Sequence, residues 1–290
     1  MALPELKDFY LPEQPGEVAS LFEKYEDAAL FVAGGTFIHG LEARGLLGGV
    51  QALVDLRRMG LDAIAADERG LRIGATVNFA RLAALGEMDL PAFGALRDAL
   101  ACPPPQILNM ATVGGSIAAA CPFFDVPASL LALDSVVEVA GGSGPRELPL
   151  AEVYMGVFVN SLAVGEYIAS VFFPRQGARV TSSYLKLETN ANDLALVGVA
   201  VRVTLDGAQR ISDARVVLGG GLNETHVRSS RAEAVLNGEK ASDELFDRAA
   251  MAIAPEVRPM ADHRCSAEYR AAMGKVYVRR ALQRAIERLL

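Results

Sequence analysis

Cysteine, histidine and net positive charge are all scarce in this 290-residue sequence, which has three cysteines, three histidines and 28 Lys+Arg against 35 Asp+Glu, for a net charge of -7. Cys102, Cys121 and Cys265 are odd in number and far apart. That excludes a disulfide framework and gives no support to a self-contained zinc or iron-sulfur site. Each is expected to be a small buried apolar residue, with Cys121 kept apart because of where it sits. With only His39, His226 and His263, histidine-based catalysis has few candidates. The chain also lacks the clustered cations that bind phosphate backbones, so no nucleic-acid partner is expected. No apolar run reaches the length of about eighteen residues that suggests a membrane span. The opening MALPELKDFYLPEQ lacks the basic start and apolar core of a signal peptide, so a cytoplasmic location is expected. What is present is a 51% apolar composition with 27 glycines, enough for one large folded domain or two medium ones.

Val18, Leu21, Phe22 and Tyr25 share one face of a helix that begins near Pro15 and ends near Glu26. A strand over Ala28 to Val32, glycines 34 and 35, a periodic stretch with Ile38, Leu41 and Leu46, and a strand over Ala52 to Leu56 read as a crossover unit. Ala63 to Ala66 and Leu71 to Val77 read as a hairpin, followed by helices at Phe79 to Met88 and Leu90 to Ala101, the second stopped by Pro103 to Pro105. A glycine turn at Gly114 and Gly115, a helix from Pro127, a strand over Val136 to Ala140, a Gly-Gly-Ser-Gly turn at 141–144 and a strand over Tyr167 to Phe173 complete this half. Pro174 to Ala178 is the expected linker, dividing the chain into 1–175 and 179–290. Antiparallel strands over Ser182 to Leu187, Leu196 to Leu205 and Ala214 to Leu218 follow, then helices at Ser229 to Leu236, Asp243 to Ile253 and Ala267 to Leu290. That order is an α+β arrangement.

Two glycine pairs carry the chemistry. Ala33, Gly34, Gly35, Thr36 and Thr112, Val113, Gly114, Gly115, Ser116 share an apolar lead-in, two glycines and a hydroxyl. Successive amides in such turns form an anion site, and two turns together could hold one diphosphate. Neither contains lysine or arginine, so the binding charge would come from backbone dipoles. Rossmann and P-loop spacings are absent, as are metalloprotease, serine-hydrolase and kinase signatures.

These residues resemble the FAD-binding medium subunits of molybdenum hydroxylases, of the carbon monoxide dehydrogenase and xanthine dehydrogenase type, over nearly the whole chain. The family's two FAD-holding turns correspond to Ala33–Thr36 and Thr112–Ser116. Its aspartate some ten residues after Gly-Gly corresponds to Asp125, and its Tyr-x-Lys to Tyr184 and Lys186, with Asp193 downstream. Asp262 to Leu282 resembles its closing helical signature. The resemblance implies a two-lobed FAD-binding domain of the vanillyl-alcohol oxidase type, followed by a C-terminal domain with a small antiparallel sheet and a helical bundle. It implies noncovalent FAD held by Val32, Ala33, Gly34, Gly35, Thr36, Phe37, Ile38 and His39 from the first motif. From the second it implies Thr112, Gly114, Gly115, Ser116, Ala119 and Cys121. Asp125 is placed at the adenosine ribose, and Ile168, Tyr184 and Lys186 near the flavin ring. The sequence departs from the family at Phe37, Leu108, Ala119 and Cys121, which leaves more of the cofactor contact to the backbone.

The implied role is electron transfer to FAD from [2Fe-2S] clusters of a small partner subunit, the molybdenum cofactor lying in a large one. Such complexes are typically dimers of three-subunit units. The alternatives are a self-contained flavin-dependent reductase or oxidase, which would need an acid or base such as Glu166, Glu188 or Asp193, and a scaffold subunit without FAD.

Overall fold

The structure, a computed structural model, describes residues 3–42, 45, 47–142 and 144–289. Leu46, Ser143 and Leu290 of the expected elements lie outside the described residues. Among the described residues the chain builds three hydrophobic cores, the largest of them shared between the second lobe and one face of the C-terminal sheet.

The first core is small. It joins β1 (Asp8–Tyr10), α1 (Pro15–Tyr25), β2 (Ala29–Val32), α2 (Thr36–Glu42) and β3 (Ala52–Asp55). The strands lie in the order β1-β3-β2, and β2 runs parallel to β3 as the crossover reading expects. Val18 and Phe22 of α1 pack on Ala52 and Val54. In α2, by contrast, no residue is buried, although it carries Phe37, Ile38 and Leu41.

The second lobe contains β4 (Ile64–Ala66), β5 (Gly70–Gly74), α3 (Phe79–Ala83), α4 (Gly94–Leu100), α5 (Pro105–Met110), α6 (Val113–Ala118) and α7 (Asp125–Ala132). Then come β6 (Val136–Ala140), β7 (Arg146–Pro149), a small hairpin of β8 (Tyr154–Gly156) and β9 (Val159–Asn160), and β10 (Tyr167–Pro174). The five-stranded sheet has the order β4-β5-β10-β6-β7. The two helices expected across 79–101 are shorter, separated by 3₁₀ turns at Gly86–Asp89 and Pro91–Phe93, because Gly86 weakens the helix and Pro91 cannot donate within one. β10 faces two ways: Tyr167 joins the first core and Ile168 the second.

The C-terminal part has β11 (Val180–Leu187), β12 (Val197–Leu205), β13 (Ile211–Gly219) and β14 (Val227–Arg228), then α8 (Ser230–Leu236), α9 (Asp243–Ala252) and α10 (Ala267–Glu287). Its sheet is antiparallel in chain order and buried on both faces. Val197, Val199, Val201 and Val203 pack toward α9 and α10, while Ala200 and Val217 join the core of the second lobe. Two-sided burial explains why β12 reads as an almost unbroken apolar run. The polar Thr181-Ser182-Ser183 of β11 survives burial because each hydroxyl donates to a helical or 3₁₀ carbonyl. Thr181 and Ser183 bond Ala285 and Ala281 of α10 at 2.7 Å, and Ser182 on the opposite face bonds Ala92 at 2.7 Å.

Asp98 of α4 ties the second lobe to the C-terminal part, accepting from the Tyr184 amide at 3.0 Å, Arg284 at 3.2 Å and Arg288 at 2.5 Å. Replacing Asp98 by alanine leaves two guanidinium groups and an amide without their acceptor. We expect it to destabilise the chain by about 3 kcal/mol, read as a lower urea midpoint with an unchanged slope.

Candidate functional site

The first glycine motif connects β2 to α2. Gly35 adopts φ +70°, which an L side chain rarely takes, and Gly34 lies so close to the α5 end that a Cβ would sit 1.9 Å from the Met110 carbonyl oxygen. The two motifs are thereby brought side by side. His39 donates its amide to the Gly35 carbonyl, while the amides of Thr36, Phe37 and Ile38, at the start of α2, have no partner among the described residues. With the Gly34 and Gly35 amides, which likewise have no partner among the described residues, they are free donors of the site. His39 itself points to solvent and pairs with Glu42 at 3.1 Å, so it does not pack in the core. Val32 and Ala33 are half-buried at the end of β2.

The second glycine pair is not a turn. Gly114 and Gly115 form the first turn of α6, capped by the Thr112 hydroxyl, which accepts from the Gly115 amide at 3.2 Å. The Val113 and Gly114 amides bond the Val77 and Ala75 carbonyls, and the Ser116 amide bonds the Thr112 carbonyl. All four amides at this helix start are therefore used internally. Gly114 is there for close packing, since a Cβ would meet that of Ala75 at 2.5 Å. The second motif builds a wall, and the first supplies the donors.

After α6 the chain passes Ala119, half-buried, and Cys121, buried, into Phe124 and Asp125 at the start of α7. Phe37 of α2 meets Phe124 edge-on at 5.5 Å and Phe158 at 5.4 Å, so the two segments share an aromatic contact. The Asp125 carboxylate accepts from the Tyr184 hydroxyl at 2.6 Å and from Lys186 Nζ at 3.3 Å. Lys186 is 6% exposed and also pairs with Glu188 at 2.9 Å. Burial raises the Asp125 carboxyl above its usual range, opposed by Lys186 and Tyr184. Burial pulls Lys186 down, but Asp125 and Glu188 outweigh it, so its ammonium is held above the ordinary value. Tyr184 is raised by burial and by Asp125, and Cys102 beside the cluster is pushed up to about 12 by burial and the same carboxylates. At neutral pH the site thus presents a cation, a neutral phenol and an unreactive thiol.

An open pocket leads from this cluster to the surface, lined by Asp98, Cys102, Lys186, Glu188, Asn192 and Arg284. Ile168, expected near the ring, is buried in the second core on β10 opposite Val139. Of the acid or base candidates, Glu166 is locked in two hydrogen bonds from Arg146 that hold its carboxyl below the usual range, and Asp193 caps Asn190. Glu188 is the one that joins the cluster. The sequence reading missed the residues that grip the Cys121–Asp125 loop from the C-terminal part, His226 and Arg264 among them. No spacing signal marks them, since they stand about a hundred residues or more away.

A bound FAD fits these residues. Free amides begin α2, the Gly34 cradle would be filled by any Cβ, the apolar side chains of α2 are only half-buried, and a buried cation is paired with Asp125 at the end of the segment that follows α6. No group of three or more His, Cys, Asp or Glu that could hold a metal is formed among the described residues. Nor is any described helix long and apolar enough to cross a membrane.

Comparison with known proteins agrees with this construction. Residues 5–176 match the family described as the FAD binding domain in molybdopterin dehydrogenase, and residues 182–285 match the CO dehydrogenase flavoprotein C-terminal domain. The 6-hydroxypseudooxynicotine dehydrogenase complex subunit alpha of Paenarthrobacter nicotinovorans is 32% identical over 91% of this chain and 88% of its own. The carbon monoxide dehydrogenase medium chain of Afipia carboxidovorans is 29% identical over 98% of both. Among solved structures, carbon monoxide dehydrogenase from Hydrogenophaga pseudoflava superposes with a TM-score of 0.91 at 28% identity, covering 99% of each chain. The chain belongs to the family of FAD-binding domains of molybdopterin dehydrogenases, carried together with a CO dehydrogenase flavoprotein C-terminal domain.

Proposed function

We propose that this chain is the FAD-binding electron-transfer subunit of a cytoplasmic molybdenum hydroxylase, with residues 1–175 as its cofactor part and 179–290 as its C-terminal part. Its partners are a large subunit with the molybdenum cofactor and a small subunit with [2Fe-2S] clusters. The observation that carries the reading is the juxtaposition of free α2 amides, across the Gly34–Met110 contact, with a wall that leads to the buried Asp125–Tyr184–Lys186 cluster. Support for the assembly comes from the relatives, whose names describe medium chains and subunits of dehydrogenase complexes.

In this reading the Thr36, Phe37 and Ile38 amides hold the diphosphate, without any cationic side chain. Phe37 and Ile38 cover an apolar part of the cofactor. Resemblance alone places Asp125 at the adenosine ribose and Tyr184 with Lys186 at the ring, which are far apart in an extended FAD. Because the three side chains are bonded to one another, we assign them together to the ring end. When bound, FAD supplies a ring that accepts and releases electrons one or two at a time. Lys186 offsets the negative charge that reduction brings, and Asp125 and Glu188 keep it in place. The acid or base candidate that joins this cluster, Glu188, is paired with Lys186 at 2.9 Å, in keeping with electron transfer rather than proton abstraction from a substrate.

The absorbance spectrum of protein from its native host, with elemental analysis, tests the reading. FAD bands with co-purifying iron and molybdenum are expected, and a colourless preparation sinks it. Gly34→Ala, whose Cβ collides with the Met110 backbone, is expected to abolish FAD loading. Gly35→Ala meets only an ordinary contact with Val32 at 3.8 Å and a strained φ, costing about 1–2 kcal/mol of stability while loading persists. Lys186→Met is expected to lower the midpoint potential of bound FAD, measured by dye-linked titration.

A further inference from the structure

The segment Ala118–Asp125, which ends in the carboxylate of the site, is held from two sides. From the β8–β9 hairpin, the Asn160 side-chain amide donates to the Ala118 carbonyl at 2.7 Å and the Phe158 amide to the Ala120 carbonyl at 3.0 Å. From the C-terminal part, the Gly220 amide donates to the Pro122 carbonyl at 2.8 Å. The His226 ring, kept neutral by burial that lowers it to about 4, bonds the Phe124 carbonyl through Nε2 at 2.9 Å. Tyr184 and Lys186 take Asp125.

Between these contacts lies Phe123, whose side chain has no polar atom to bond. Its ring is met by two guanidinium groups, Arg264 at 4.8 Å and Arg270 at 6.0 Å from the centroid. Both arginines share the Asp262 carboxylate, at 2.7 Å and 3.2 Å. Arg270 is fully buried and donates to the Leu196 carbonyl at 2.8 Å and to the Met260 carbonyl. Arg264 lies nearer the surface and donates to the Leu194 carbonyl at 3.0 Å, in the segment that leads from Lys186 into β12. Gly221 leaves the clearance, since a Cβ there would fall 2.7 Å from Phe123 Cε1.

We propose that Arg264 is a positioning residue for the cofactor site: fixed by Asp262, it fastens the Phe123 ring and the Leu194 carbonyl at once. It thereby sets the separation between the segment that carries Asp125 and the one that follows Lys186. The inference rests on the FAD reading of that site. Three simultaneous contacts need a planar fork, whose edge bonds oxygen while its face lies on an aromatic ring, and a lysine ammonium cannot reproduce them. The C-terminal part then shapes the cofactor site through a residue that need not touch the cofactor.

The test uses the purified full chain, with FAD affinity from flavin fluorescence quenching, the visible circular dichroism of the bound flavin, and the melting temperature of the unloaded protein. Arg264→Gln and Phe123→Leu are expected to raise the FAD dissociation constant about tenfold and to change the dichroism of the bound ring. The unloaded melting temperature should move little, Arg264→Lys should follow Arg264→Gln in direction, and Phe123→Tyr should match the parent. Should Arg264→Gln fail to fold, the Phe123 pair decides the matter. Parent-like affinity and dichroism in Phe123→Leu, or equal losses in Phe123→Leu and Phe123→Tyr, overturn the proposal. A parent protein that takes up no FAD overturns the cofactor reading itself and this inference with it, a result distinct from a parent that loads and variants that load alike.

Discussion

Asp125 sits at the head of α7 in the cofactor half of the chain, and both of its side-chain partners come from β11 in the other half. A carboxylate removed from water is tolerated only with a cation or strong donors beside it, and loss of those partners leaves an uncompensated buried charge. The consequence reaches past one ion pair. Tyr184 is also bonded through its amide to Asp98, which Arg284 of α10 and Arg288 just after it complete, so the cluster is continuous with the network that docks the last helix. The C-terminal part is built into the site, since it both covers the Asp125 carboxylate and supplies the phenol and the cation that hold it.

The same cluster explains the quiet chemistry of the pocket. Lys186 lies between Asp125 and Glu188, so two carboxylates face one ammonium. Cys102, close enough to feel both, is pushed toward the thiol and not toward a reactive thiolate. A site organised in this way stabilises charge without donating a nucleophile, which is what an electron-storing cofactor needs from its surroundings.

How much of this could be read from the residues depended on how local the signal was. The β2-α2-β3 unit and the strands β11 to β13 are legible because an apolar run, a glycine punctuation or an alternation lies within a dozen residues. The helices across 79–101 were over-extended, because periodicity continues through Gly86 and Pro91 while the backbone does not. Gly114 and Gly115 look like the first glycine pair but form a helix start. The cue was Thr112, a capping residue one position before the helix, and the gain is close packing on Ala75. β7, β8 and β9 are two to four residues long and carry no pattern of their own. In the site, contiguous motifs were legible and lone residues were not. His226, Asp262, Arg264 and Arg270 become partners of the Asp125 loop only after the sheet has been folded against the second lobe.

The unequal size of the three cores bears on how the site is completed. Among the described residues the first core is a cluster of seven buried apolar side chains, Tyr167 of β10 included, and the helix that supplies its free amides buries none of its own. Regions with few buried contacts open at the lowest free-energy cost. The wall opposite, α6 and the Asp125 segment, is by contrast pinned by hydrogen bonds to the turn after β5, the small hairpin and the C-terminal part. The site is therefore a fixed wall facing a loosely supported helix. A ligand that bonds the α2 amides and covers Phe37 and Ile38 supplies the contacts that this helix lacks, so ligand binding and the ordering of the first lobe are linked by mass action.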